Sequence, residues 1–186
     1  MKNSQFAPVL NDFDKLAREH KIIYSLSGKM LENVKNKELK SSDVLPLKVA
    51  LRFHNLLNLI SNYPDRFEVP FFDDHKSFLP KFKSENGEII LQILVPTTDK
   101  KFNKKTLKKV DGLTMVFNPE VKQKESDFYT LSEAVESLYD PNPDYWVLID
   151  DNPEKLTKKI PNINLRMYKV FSLDENKFPY FEELLD

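Results

Sequence analysis

Carboxylates that could share a divalent cation, and a Gly that follows a short apolar run and precedes one of them, are the chemistry-bearing residues to weigh first. Ser27-Gly28-Lys29 ends a short apolar run, and thirteen residues separate Lys29 from Asp43. Gly28 and Lys29 stand between that run and a later carboxylate, an order that chemistry could use, so they are candidate ligand-binding residues. Asp43, Asp73 and Asp74 are candidate catalytic carboxylates, because a cation that polarises a phosphoryl group needs several anionic oxygens around it. Asp150 and Asp151 form another adjacent pair. Each has a plainer role as well. Gly28 serves as a turn residue, Lys29 as a solvated helix start, and Asp43 as a helix N-cap.

The stretch 100–109 holds six lysines in ten residues. As a helix it would carry Lys101, Lys104, Lys105 and Lys108 on one positive stripe, a candidate polyanion-binding surface, with Phe102 and Val110 anchoring its other side. No aromatic or Arg set for base stacking accompanies it, and a solvated face is the ordinary reading of such a run. His20, His54 and His75 lie at no spacing that pairs two imidazoles on a metal. The chain has no Cys, which removes disulfides, thiolate metal sites and a thiol nucleophile together. No Gly-x-Ser-x-Gly elbow occurs.

The elements that must carry these residues follow from periodicity. Phe6, Val9, Leu10, Phe13, Leu16 and Ala17 recur at helical spacing and leave Asp12, Asp14, Lys15, Arg18 and Glu19 for solvent, so a helix ending near His20 is expected. Residues 22–26 are expected as a buried strand and 29–35 as a short helix. Pro46 at a first turn, followed by Leu47, Ala50, Leu51, Leu57 and Ile60, predicts a long helix from there to Ser61. Further strands are expected at 67–72, 89–95, 113–117, 145–149 and 163–171. The run 89–95 is almost wholly apolar, as in a strand covered on both faces, and Gln92 is its one polar residue. Thr130-Leu-Ser-Glu133 matches a capping box and predicts a helix over 131–139. Asp151-Asn152-Pro153 opens a short helix, and 179–185 a terminal helical turn.

At 186 residues, with 40% hydrophobic and 31% charged residues, the chain suits one globular domain: an N-terminal helix-strand-helix-helix part over 1–62 and a strand-rich part over 63–186. The expected class is α/β or α+β, with a mixed five- to six-stranded sheet and flanking helices. A net charge of -1 argues against a broad nucleic-acid surface. No secretory leader and no apolar run long enough to span a membrane is seen, so a cytoplasmic protein is expected.

The order helix, strand, Ser27-Gly28, helix, Asp43 resembles the nucleotidyltransferase superfamily, and within it the phosphocholine-transferase type often called the LicD family. The resemblance covers at most about half of the chain. It implies a helix leading into a Tyr-containing strand, a Gly motif whose helix helps hold nucleotide phosphates, and two alternating Asp on a magnesium ion. It also implies a later acid, which would fall in the strand 89–95. Here the second Asp position is Leu45, and the later acid's strand has only Gln92. The small residue and the Gly expected after Gly28 are Lys29 and Glu32. An aliphatic side chain cannot ligate a cation, so the resemblance implies the family framework with its catalytic set dismantled. Residues 145–154 also resemble, locally, the strand end of response-regulator receivers and haloacid-dehalogenase-like phosphatases.

The leading expectation is a non-catalytic binding or regulatory protein on a degenerate nucleotidyltransferase-like framework, with no metal site and no cofactor. Its expected partner is another protein, with a local phosphate-bearing ligand as a further option. One alternative is a small immunity, antitoxin or phage-encoded inhibitor protein that works by contact. Another is an active metal-dependent transferase with relocated carboxylates, in which case magnesium is required.

Overall fold

The helical rhythm at the N-terminus produces α1 (Ala7–Glu19), which buries Val9, Leu10, Phe13, Leu16 and Ala17 along one stripe. The computed structural model describes residues 6–36, 46–68, 79–97, 106–110, 113–117, 128–130, 141–150, 157–161, 167–173 and 175–184. The expected helices at 131–139 and after Asp151 lie outside them. The chain divides into two compact units. The first comprises Met1–Glu68, Pro80–Gln92 and Asn164–Asp186; the second comprises Val69–Leu79 and Ile93–Ile163.

In the first unit, α1 leads to β1 (Tyr24–Ser27), α2 (Gly28–Lys35), β2 (Lys48–Arg52) and α3 (Phe53–Asn62). Then come β3 (Phe67–Glu68), β4 (Lys81–Ser84) and the long β5 (Gly87–Thr97). These strands lie in the order β1-β2-β5-β4-β3. β1 pairs antiparallel with β2, with Ser27 opposite Lys48 and Tyr24 opposite Leu51. Ile90 N–H donates to Leu47 O at 2.8 Å where β5 meets β2. Phe13 on α1 lies edge-on to Tyr24 of β1 at 5.0 Å and to Phe82 of β4 at 5.4 Å, so aromatic packing fixes the helix on the sheet.

In the second unit, residues 93–97 of β5 pair with β9 (Tyr145–Ile149), which pairs in turn with β10 (Thr157–Pro161). A separate three-stranded sheet is formed by β6 (Thr106–Val110), β7 (Leu113–Phe117) and β8 (Phe128–Thr130). Back in the first unit, β11 (Lys169–Leu173) and β12 (Asn176–Tyr180) form a hairpin, followed by a 3-10 turn at Glu182–Leu184.

The α+β class, with a sheet flanked by helices, stands as expected, and several boundaries move. The long helix expected from Pro46 is a strand followed by a shorter helix. Leu47, Val49, Ala50 and Leu51 are each at most 4% exposed, and β2 is enclosed by β1 and β5, so both of its faces bury apolar groups. A continuous apolar run fits that environment better than a one-sided helix. The strand expected at 67–72 is described only at Phe67–Glu68. The strand expected at 163–171 is described from Lys169, and the terminal helical turn begins only after β12. Lys100–109 is not helical where it is described, because Thr106–Val110 is a strand paired with β7. A strand alternates its residues between two faces, whereas the expected stripe needs the helical period. Among the described residues no helix is long and apolar enough to cross a membrane.

Candidate functional site

Ser27, Gly28, Lys48 and Gln92 meet where β1 gives way to α2. Gly28 has φ +70°, a left-handed conformation that costs a residue with a Cβ, and this lets the extended chain turn at once into the helix. A Cβ at Gly28 would stand 3.4 Å from Lys48 Cδ, so the aliphatic stem of Lys48 lies against the turn. Ser27 is the N-cap residue of α2, yet its side chain makes no capping bond. Its hydroxyl instead donates to Gln92 Oε1 across a sequence separation of 65 residues. Gln92 is 1% exposed and Ser27 2%, so this is a neutral polar contact enclosed in the protein. A buried amide oxygen already accepting a hydroxyl hydrogen satisfies both partners without any net charge.

Of the residues singled out from the sequence, Gly28 is therefore at the site as the hinge of the turn. Lys29 is beside it, but its ammonium lies 3.0 Å from Glu32 on the next turn of α2, an exposed i,i+3 pair of little energetic weight. Asp43, Leu45, Asp73, Asp74, His75 and Asp151 lie outside the described residues, as do Lys101, Lys104 and Lys105. Lys108 occupies a β6 position opposite Met115. Among the described residues no group of three His, Asp or Glu side chains gathers as metal ligands would.

A second polar cluster was not legible in the sequence. Asp14, expected to face solvent, is 9% exposed. Tyr24 Oη donates to its Oδ1 at 2.8 Å, and Arg18 Nε lies 2.6 Å from its Oδ2. Burial, and then the neighbouring Asp14 carboxylate, push the Tyr24 phenol well above its ordinary range. The cluster forms one wall of a recess of about 300 Å³, which Ile22, Tyr168, Val170, Lys177 and Pro179 also line. Arg18 ties that wall to the hairpin, since its Nη2 donates to Lys177 O at 3.2 Å. The signal for this cluster was the i,i+4 spacing of Asp14 and Arg18, which the solvent-face reading absorbed.

Two histidines are accounted for locally. Tyr63 donates its hydroxyl hydrogen to Glu19 Oε2 at 2.7 Å, so His20 Nε2, 3.1 Å from the same oxygen, is the donor to it. His54 is lowered from its ordinary value by burial and then by the nearby Arg52 charge.

The chain matches no protein-family model, no curated protein and no solved structure.

Proposed function

We propose that this chain is a non-catalytic binding or regulatory protein on a nucleotidyltransferase-like framework whose cation-holding positions have been given up. The observation that carries the reading is the Ser27–Gln92 hydrogen bond. In the family that the sequence resembles, the strand after the Gly motif and a later strand each present an acid to one cation. Here the one polar residue between Ile89 and Val95 of the later strand is an amide, its oxygen occupied by the serine just before Gly28. The strand order β1-β2-β5, which sets that later strand next but one to the Gly-motif strand, supports the same reading. An enclosed neutral pair has no charge with which to offset dehydration of a magnesium ion.

The test compares two full-length proteins by thermal unfolding with magnesium and a nucleoside triphosphate. The unaltered chain is expected to keep its Tm within about 1 °C, since a ligand that does not bind the folded state cannot stabilise it. A chain carrying Leu45→Asp and Gln92→Asp together is expected to gain a Tm rise that grows with magnesium. A magnesium-dependent rise in the unaltered chain would return it to the enzymes. No rise in the double variant would remove the framework.

A second reading, a protein of unrelated framework acting by contact alone, draws on Met167, Tyr168 and Val170, which are 74%, 46% and 50% exposed around one strand.

A further inference from the structure

We propose that the outer edge of β11 is a self-association surface, on which a second copy of this chain adds its own β11 antiparallel to the first. This goes beyond the cation reading and does not depend on it.

The inference starts from Pro179. In the β11–β12 hairpin Val170 stands opposite Pro179, and Pro has no N–H to give. An antiparallel ladder alternates hydrogen-bonded and non-hydrogen-bonded pairs, so Pro is accommodated at a non-hydrogen-bonded one. That phase makes Val170–Pro179 and Ser172–Lys177 the outward-facing pairs. It also makes Leu173–Asn176 a bonded pair closing a connection of two residues, as a tight hairpin has. The position of Arg18 agrees independently: it reaches Lys177 O, which the same phase turns away from β11.

The two edges of the hairpin are consequently unlike. The β12 edge is blunted, with no donor at Pro179 and with the Lys177 carbonyl taken by Arg18. On the β11 edge, Val170 and Ser172 each turn an N–H and a C=O outward, and no further strand pairs with β11 among the described residues. Proteins ordinarily protect such an edge with a Pro, a bulge or outward charges. The outward positions here are a half-exposed Val and a Ser.

The edge is complementary to itself. Turning a second copy by a two-fold axis through Phe171 sets Val170 opposite Ser172 of the other copy, and Ser172 opposite its Val170. All the outward donors and acceptors of those residues are then used, in a closed two-fold arrangement. The same register sets Lys169 opposite position 173 and diagonal to Glu175 of the other copy, so like charges do not face each other. Lys169 is already 2.8 Å from Glu182, which offsets its charge further. The two Val170 side chains become diagonal neighbours on one face.

Analytical ultracentrifugation of the full chain from about 5 to 500 µM, the span in which modest interfaces assemble, tests this. The expected result is a rise from the 21.9 kDa monomer to twice that mass and no further. Ser172→Pro removes an outward donor that the hairpin itself does not use, and Val170→Lys sets two cations diagonally next to each other on one face. Each is expected to weaken the dimer at least tenfold while the circular dichroism stays native. Should Ser172→Pro fail to fold, Val170→Lys decides alone. In the unaltered chain, amide exchange at Val170 and Ser172 is expected to slow with concentration. A monomer throughout, a mass that climbs past the dimer, or a dimer indifferent to Val170→Lys overturns the proposal.

Discussion

Replacing Gln92 with Glu puts a carboxylate where the protein holds a neutral amide, and the consequence can be worked out from burial. The position is 1% exposed, and the amide oxygen's partner is a single hydroxyl, so a Glu there is short of hydrogen-bond donors. Desolvation of such a group raises its pKa, and buried Glu residues reach several units above the ordinary value of about 4.3. Taking a folded value near ~7, and about 1.4 kcal/mol per unit, the variant loses about 3 to 4 kcal/mol at pH 8. The sign follows from proton binding. A carboxyl raised in the folded state is held fully only below its unfolded pKa, so the loss grows as pH rises from about 4 toward 7 and then levels off. Urea unfolding of Gln92→Glu and of the unaltered protein, at pH 5 and pH 8, reads this difference. If the two proteins unfold alike at both pH values, Gln92 is not enclosed as described.

Three other outcomes follow from the same geometry. Gly28→Ala is expected to cost about 1 to 2 kcal/mol in denaturant unfolding, the ordinary penalty for a Cβ at a left-handed position. Tyr24→Phe is expected to cost about 1 to 2 kcal/mol at pH 7 through the lost bond to Asp14. It should also flatten the alkaline limb: because the folded phenol is raised, its contribution is intact below about pH 10 and lost above it, and Phe has no such term. Lys29→Ala is expected to stay within about 0.5 kcal/mol of the parent, since an exposed pair with Glu32 is all it loses.

Much of the first unit was legible because local pattern and environment agree there. The apolar stripe of α1, the break at Ser27-Gly28 and the unbroken run in β5 each state one solution. Pro46 misled, because Leu47, Val49, Ala50 and Leu51 satisfy a helix start and a doubly covered strand equally well, and only the neighbours β1 and β5 decide. The C-terminal hairpin was obscured by Pro179, which reads as a helix start until its partner Val170 is known. The site is a similar case. Gln92 stood out as the one polar residue in an apolar run, but its partner lies 65 residues away and no local pattern names it. Asp14 was hidden for the opposite reason: its neighbours in sequence place it on a polar face, while Tyr24 and Arg18 enclose it.

The central proposal, that a neutral Ser27–Gln92 pair stands where a nucleotidyltransferase would hold a cation, is tested most directly by paramagnetic manganese. Amide spectra of the unaltered chain, titrated with Mn²⁺, report any residue close to a bound ion. The lines of Ser27, Gly28, Lys29 and Gln92 are expected to broaden no more than exposed surface amides do. Selective, saturable broadening at those residues would contradict the account.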